Sequence, residues 1–307
     1  MTETELGRRR LKELTERLRI KPGSTVRPKD LDPGFTAGLG EERGAQAQAM
    51  LQHGVELLAD YQDRLAAQDT HAVLVVLQGM DAAGKDSTIK HVMSGVNPQG
   101  VEVHSFKVPS YDELNHDYLW RYAQRLPPRG KIGIFNRSHY EEVLVVRVHS
   151  ELLAAQHLPP ETRGPGTWRR RFREINDWER YLADNGIHLI KLFLNISREE
   201  QRKRFLARIE RPEKNWKFTA ADVRERAYWD DYQKAYADVL NNTSTESAPW
   251  HVIPADHKWF AHIAAAAVIA HELITIDPQY PKVDPQAQKE LEAARRELLA
   301  ESASKPT

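Results

Sequence analysis

Residues 74–90, LVVLQGMDAAGKDSTIK, contain the pattern that decides the fold of this chain. An aliphatic run leads into Gly79, and Gly84 and Lys85 follow at the spacing of a phosphate-binding loop. Glycines let consecutive main-chain N–H groups converge on phosphate oxygens, the start of a helix adds its positive dipole end, and the lysine adds a cation. A Gly-rich turn with an exposed lysine fits the same letters, but the position between a strand and a helix favours the loop. We therefore expect phosphate to bind at Gly79, Ala82, Ala83, Gly84 and Lys85.

The acidic residues of this loop depart from the usual pattern. The Ser or Thr that commonly follows the lysine is replaced by Asp86, Ser87 comes next, and Asp81 lies inside the loop. Two carboxylates would repel a phosphate unless a cation lies between them, so we predict Mg²⁺ close to Asp81. Asp86 is expected either to assist the metal or to cap the helix, where an acid is favourable to the dipole. Asp86 and Ser87 join the predicted phosphate site.

Strands and helices alternate along the rest of the chain. Aliphatic and β-branched runs typical of strands buried on both faces occupy residues 72–79, 101–106, 131–136, 187–196 and 250–255. Helical spacing fills the gaps, over about 85–94, 111–125, 138–149, 168–185, 198–210, 219–242 and 257–275. This alternation predicts a three-layer α/β/α fold around a central parallel sheet. We expect a helical and extended N-terminal arm over 1–70, the phosphate-loop domain over 71–276, and a helical tail over 277–307.

Composition limits the kinds of partner. The 307 residues include 44 basic and 44 acidic side chains, so the net charge of zero argues against a general nucleic-acid or membrane binder. The longest apolar run, near 263–270, is far shorter than the ~18 residues that a membrane span needs. Cysteine is absent and the N-terminus lacks the apolar segment of a signal peptide. We expect a cytoplasmic protein.

The third strand leads into a second group of candidate site residues, in KIGIFNRSHYEEVLVVRVH at 131–149. An acid at the end of such a strand positions Mg²⁺ in phosphate-loop enzymes, but here Asn136 takes that place. Arg137 follows and is expected to clamp a transferring phosphoryl group. Glu141 and Glu142 can supply the missing negative charge, or they can form a solvated helix face. Adjacent residues point about 100° apart on a helix, so we expect only one of the two to face the site.

Positive charge is concentrated in a segment expected to form a lid. Residues 198–226 contain ten basic and six acidic side chains, and Pro212 breaks the helix near the middle. Basic side chains closing over phosphates neutralise charge and exclude water, whereas a solvated charged helix is the alternative. The lid is predicted over about 204–222, with substrate contacts from Arg204, Arg208, Lys214, Trp216 and Lys217. Lys107, at the end of the second strand, is also expected to contact phosphate, and Arg169, Arg170 and Arg171 either line the same groove or are solvated.

Four stretches of this sequence resemble the polyphosphate kinase 2 family. They are GMDAAGKDSTIKHVMSGVNPQG (79–100), SFKVPS (105–110), IGIFNRSHYEEVLVVRVH (132–149) and PWHVIPADHKW (249–259). The resemblance covers roughly residues 20–276, and Asn136 followed by the two glutamates looks most like the class III branch. It implies a thymidylate-kinase-like fold with a helical lid, and a dimer or tetramer.

The resemblance also implies an activity and a role for each matched residue. The activity is a reversible, Mg²⁺-dependent transfer of phosphoryl groups from inorganic polyphosphate to adenine or guanine mono- and diphosphates, with Mn²⁺ as a possible replacement. Asp81 and Lys85 would contact the donor phosphates and the metal, and Arg137 would bridge the transferred group. Glu141 and Glu142 would lie beside the acceptor phosphate or its metal, which makes Asp81 and Glu141 the expected metal ligands.

Two other functions fit parts of the pattern. An ATP-dependent nucleotide kinase of the thymidylate-kinase-like type shares the loop and lid, but GKD in place of GK[ST] and Asn136 in place of an acid disfavour it. A non-catalytic phosphate-binding scaffold would bind ligand without turnover, and it gives no reason for the loop lysine, Arg137 and a lid to occur together.

Overall fold

A five-stranded sheet forms the centre of the computed structural model, which describes residues 3–40 and 44–303. The strands are β1 Ala72–Gly79, β2 Val101–Ser105, β3 Ile132–Asn136, β4 Ile187–Asn195 and β5 Trp250–Pro254. All neighbouring strands are parallel, in the order β2-β3-β1-β4-β5. The predicted α/β fold with a parallel sheet is therefore confirmed.

The register of the sheet decides where the site lies. The central strand β1 is buried along its whole length, as its continuous aliphatic sequence predicts. Leu77 pairs with Asn136 on one side, and Gly79 pairs with Leu194 on the other. Because the strands are parallel, the phosphate loop after β1 and the turn after β3 emerge at the same edge of the sheet.

Thirteen α-helices surround the sheet within the described residues. They are α1 Glu3–Leu18, α2 Gly44–Gln68, α3 Lys85–Val92, α4 Tyr111–Leu114, α5 Trp120–Ala123, α6 Val145–Val148, α7 Ser150–Ala155, α8 Thr167–Asp184, α9 Arg198–Glu210, α10 Ala220–Glu225, α11 Trp229–Thr243, α12 Lys258–Ile276 and α13 Pro285–Ala303. One layer contains α1, α2 and α3 packed around α12, and the other contains α6, α8 and α11. The helix α12 is long and apolar enough to cross a membrane by length and composition alone, yet most of it is buried in its layer.

The N-terminal arm is attached to the same core as the sheet. The N–H of Ile20 donates to the main-chain oxygen of Trp250 on the edge strand β5, at 2.8 Å. Further along, Asn195 at the end of β4 donates to the carbonyl of Leu31, and the N–H of Asp256 donates to that of Pro33. The arm therefore covers the β5 edge and reaches the carboxyl ends of β4 and β5. A domain boundary at residue 71 stays a prediction.

Three predicted helices are shorter or differently wound than expected. The helix predicted over 111–125 is wrong in extent: it ends after Leu114, and the Asp117 carboxylate accepts from the N–H of Leu119 before the next short helix. The segment predicted over 138–149 begins as the 3-10 helix His139–Val143. A 3-10 turn, Arg226–Tyr228, divides the helix predicted over 219–242.

Most of the C-terminal tail is the helix α13. Its described side chains are exposed along almost the whole helix. The tail was predicted as helical over 277–307, and residues 304–307 lie outside the described part of the chain, as do residues 1–2 and 41–43 of the predicted arm.

Candidate functional site

The loop between β1 and α3 is shaped by the strand beside it and by two left-handed residues. A Cβ at Gly79 would lie 2.9 Å from the main-chain oxygen of Leu194, so β4 leaves no space for a side chain there. Gly84 has φ of 111° and Ala82 has φ of 62°. An alanine with positive φ costs free energy and persists where the surrounding structure holds it. The neighbouring helix α9 provides contacts that hold this loop.

Two side chains of α9 hold the carbonyl groups of the loop. Gln201 donates through Nε2 to the oxygen of Asp81 at 2.9 Å. Arg204 donates through Nη1 to the oxygens of Ala82 and Ala83, at 3.0 and 2.9 Å. Three consecutive carbonyls of the loop are thereby bonded to one helix.

The substrate contact predicted for Arg204 requires a correction. Its side chain is buried, and besides the loop it bonds Glu200 and the carbonyls of Ala255 and Asp256. A guanidinium has five N–H donors, and these partners occupy most of them. Arg204 was predicted to bind substrate, whereas the structure commits its guanidinium to holding the loop.

Lys85 begins α3 and folds back on its own loop. Its Nζ donates to the carbonyl oxygens of Gly79 and Met80, at 2.6 and 3.3 Å. Burial, followed by the positive charge of Arg137, lowers the pKa of Lys85 from 10.5 to about 8. An anion that reached this ammonium would stabilise its charged form.

Arg137 links the loop to the turn after β3. Its guanidinium bonds the carboxylate of Asp81 at 2.8 Å and that of Glu141 at 3.1 Å. The residue has φ of 63°, an uncommon conformation for an arginine. The charges of Glu141 and Asp81 raise its pKa above the ordinary value, although burial opposes them. The structure thus brings together three of the predicted catalytic residues in one charged cluster.

Glu142 does not join this cluster. Its side chain is buried and bonds Gln156 at 2.7 Å and the guanidinium of Arg171 at 3.3 Å. Burial raises the pKa of Glu142, although Arg171 opposes the shift. Adjacent residues diverge by about 120° on a 3-10 helix, so Glu141 and Glu142 face different surroundings. The predicted catalytic role of Glu142 is therefore not supported by its position, and Arg171 neither lines a groove nor is solvated.

The remaining predicted residues of the loop region lie close together. Asn136 donates to the carboxylate of Asp86 at 2.9 Å, which joins the end of β3 to the first turn of α3. The hydroxyl of Ser87 lies 3.1 Å from Nε2 of His262 on α12. A metal-assisting role for Asp86 stays a prediction.

A basic groove runs between the loop and the segment predicted as the lid. Its volume is about 880 Å³, and nine lining residues are Lys or Arg while four are Asp or Glu. Predicted residues that line it are Asp81, Ala82, Gly84, Lys85, Asp86, Ser87, Lys107, Asn136, Arg137, Arg204, Arg208, Lys214 and Trp216. The groove also contains three basic residues that were not among the predicted site residues, Lys203, Arg211 and Lys258.

Trp216 and Lys217 are the two remaining residues that were predicted to contact substrate from the lid. The Trp216 side chain is largely exposed, and its indole N–H donates to the carbonyl of Glu213 at 3.1 Å. Lys217 belongs to the 3-10 helix Pro212–Lys217, but its side chain is outside the described residues.

A smaller cavity lies against the same charged cluster. It has a volume of about 30 Å³, and Glu141, Asp222, Arg226 and Tyr232 are among its lining residues. Asp81 and Arg137 line both the groove and this cavity. A group in the groove and a group in the cavity would therefore both reach these two side chains.

The cluster fits a magnesium ion that also binds substrate phosphates. Among residues 3–40 and 44–303, no group of three or more His, Asp or Glu side chains has metal-binding geometry. Mg²⁺, however, commonly uses one or two protein carboxylates and takes its other ligands from water and phosphate. Asp81 and Glu141 are partly exposed carboxylates of this kind, joined through Arg137.

Comparison with known proteins identifies the family. A family model described as polyphosphate kinase 2 matches residues 41–282. The ADP-polyphosphate phosphotransferase of Rhodopseudomonas palustris is 47% identical, over 93% of this chain and 98% of that protein. The AMP/ADP-polyphosphate phosphotransferase of Meiothermus ruber is 43% identical, over 89% of this chain and 98% of that protein. The crystal structure of polyphosphate kinase 2 from Arthrobacter aurescens TC1 superposes with a TM-score of 0.81 at 38% identity, covering 92% of this chain and 96% of that one. This chain, with its glycine loop, bridging arginine and basic groove, belongs to the polyphosphate kinase 2 family.

Proposed function

We propose that this protein transfers the terminal phosphoryl group of inorganic polyphosphate to ADP and to AMP, in a reversible reaction. The observation that carries the proposal is that Asp81 and Arg137 line both the basic groove and the smaller cavity. A polyanionic donor in the groove and an acceptor phosphate in the cavity would meet at these side chains. The activities named for the relatives from R. palustris and M. ruber support the two acceptors.

Catalysis of this reaction depends on positioning the donor and acceptor phosphates rather than on proton transfer. The phosphate oxygens of AMP and ADP are already anionic nucleophiles, so no strong general base is needed. Lys85 and Arg137 would orient the donor phosphates and neutralise the charge that spreads over the transferring group.

Mg²⁺ is the proposed cofactor, with Mn²⁺ as a possible replacement. Asp81 and Glu141 would hold it, since both carboxylates contact Arg137 at the junction of groove and cavity. When bound, the ion would offset the negative charge of the phosphates that meet there.

Exchange of each carboxylate for its amide tests the metal assignment. Asp81→Asn and Glu141→Gln should each raise the Mg²⁺ concentration that gives half-maximal activity, because an amide is a weaker ligand than a carboxylate. Glu13→Gln removes an exposed carboxylate on α1 that pairs with Arg9, and should leave the titration unchanged. Titrations of both site variants that overlay the wild type would contradict the assignment.

A donor comparison tests the activity itself. The protein is incubated with AMP and Mg²⁺, together with either polyphosphate or ATP, and products are followed by ³¹P resonance. Polyphosphate should yield ADP and then ATP, the behaviour expected of class III. Turnover with ATP but not polyphosphate would instead establish the ATP-dependent nucleotide kinase, and binding without turnover would establish the scaffold protein.

The assembly and location follow from the same proposal. We expect a homodimer or homotetramer in the cytoplasm, with adenine or guanine nucleotides as acceptors. Light scattering of the purified protein should give a mass that is two or four times that of the 35.2 kDa chain; a monomer would exclude this assembly.

A further inference from the structure

The peptide groups of the phosphate loop are oriented from the side of α9. The carbonyls of Asp81, Ala82 and Ala83 point to this helix, where Gln201 and Arg204 donate to them. In a trans peptide the N–H group points away from the carbonyl of the same unit. The N–H groups of Ala82 and Gly84 therefore point away from α9, and both residues line the groove. The helix thus sets the direction of N–H groups available to an anion.

Gln201 has a second partner, on the opposite side of its amide. Its Oε1 accepts from Nη1 of Arg226 at 2.7 Å, while its Nε2 donates to Asp81. Arginine only donates and a carbonyl only accepts, so these partners fix the orientation of the amide. The side chain is 1% exposed, so an amide group that lost either partner would have little access to bulk water.

Arg226 connects this amide to the end of the segment predicted as the lid. It begins the 3-10 turn Arg226–Tyr228, directly after α10 and the segment predicted as the lid. Its guanidinium also donates to the carbonyl of Arg198, and the residue lines the smaller cavity with Asp81 and Arg137. A displacement of the turn Arg226–Tyr228 away from α9 would therefore break the bond to Gln201.

We propose that Gln201 is a positioning residue that couples the position of the lid to the orientation of the phosphate loop. With Arg226 in place, the amide is held toward the Asp81 carbonyl and the Ala82 N–H is directed away from α9. When Arg226 leaves, the amide can rotate away and the Asp81–Ala82 peptide loses its restraint. Closure of the lid thereby completes the anion-binding loop. This proposal rests on the proposed function, which makes polyphosphate the anion that binds to the loop.

A double-mutant cycle on the full-length protein tests the coupling. Gln201→Leu and Arg226→Met should each lower kcat for polyphosphate and ADP by about tenfold, because each breaks the same hydrogen-bonded chain. The double variant should be no slower than the slower single variant. Independent structural effects would multiply, so a double variant about a hundredfold slower than wild type would overturn the coupling. Arg180→Met, which removes an exposed arginine paired with Asp177 on α8, is the matched control and should keep wild-type kcat.

Hydrogen exchange of the loop gives a readout that does not depend on turnover. Inorganic tripolyphosphate should slow exchange over residues 80–84 of the wild type and less so in Arg226→Met, although the guanidinium of Arg226 donates to Gln201 and to Arg198 on α9. Equal protection in the two proteins would overturn the proposal even if Gln201→Leu fails to fold. If tripolyphosphate protects the loop of the wild type but no phosphate is transferred, the proposed function is wrong. The coupling between Arg226 and the loop would still be supported.

Discussion

Lys85 is the site cation whose charge changes most readily with pH. Burial and the charge of Arg137 hold its pKa at about 8, so the free protein loses this positive charge as pH rises through that value. The neutral amine attracts phosphate less, and kcat/KM reports ionisations of the free protein. We therefore expect kcat/KM for polyphosphate to be constant below pH 8 and to fall about tenfold per pH unit above it.

The substitution Lys85→Arg is the control for this assignment. A guanidinium stays protonated throughout the measurable range, so the alkaline decline should disappear even if the overall rate is lower. Lys85→Ala should abolish turnover while the thermal unfolding temperature remains near that of the wild type. A decline at the same pH in Lys85→Arg would assign the ionisation to another group.

Residue positions were predictable where the local pattern limits the geometry. The glycine spacing predicts Lys85 in the phosphate loop and the strand–turn sequence predicts Arg137 after the third strand, whereas the contact of Arg137 with Asp81 is visible only in the structure. The partners of Glu142 and Arg204 could not be predicted, because they come from α8 and from the loop itself, far away in sequence. The role of Gln201 could not be predicted, because a single glutamine on a charged helix forms no recognisable motif. Its two partners, the Asp81 carbonyl and Arg226, are known only from the structure.

At the scale of one element, α9 contains two arginines one turn apart with different surroundings. Arg204 is buried behind bonds to loop carbonyls, whereas Arg208 is partly exposed and lines the groove. Removing a buried guanidinium leaves several carbonyls unpaired, and we expect Arg204→Met to lower the free energy of unfolding by about 3 kcal/mol. Arg208→Met should instead raise KM for polyphosphate about fivefold at unchanged stability.

Thermal unfolding and steady-state kinetics on the same two preparations separate these effects. Arg202→Met, on the exposed side of α9 and paired with Glu199, should match the wild type in both measurements. An unchanged unfolding temperature in Arg204→Met would show that its carbonyl contacts do not support the fold. A raised KM for polyphosphate in the same variant would then assign Arg204 to substrate binding.

Element type was predictable for the strands because buried parallel strands are continuous apolar runs. The five strands lie within one or two residues of their predicted limits. Helices after β2 and β3 were less predictable, since side chains such as Asp117 and Ser138 bond the main chain and restart or tighten the turn. Glu141 and Glu142 diverge with either winding, by about 100° in an α-helix and about 120° in the 3-10 helix that forms here.

At the scale of the whole molecule, zero net charge conceals a strong local imbalance. Basic residues outnumber acidic ones by nine to four along the groove, while the total for the chain is 44 of each. The compensating acids lie elsewhere. The neutral total therefore argues against general polyanion binding, and the groove provides a confined surface for a chain of phosphates.

This confinement predicts how salt should affect catalysis. Each phosphate that contacts a lysine or arginine releases counterions, so affinity falls with salt in proportion to the number of contacts. We expect long-chain polyphosphate to extend past Lys85 toward Lys203, Arg211 and Lys214, and tripolyphosphate, with three phosphates, to contact fewer of these lining residues. We expect the slope of log KM against log salt concentration to be steeper for the long chain, and Arg211→Met to reduce that slope for the long chain alone. Equal slopes for the two donors would mean that the distant basic residues do not contact substrate. A control titration of thermal unfolding should be nearly flat over the same salt range, because exposed ion pairs contribute little to stability.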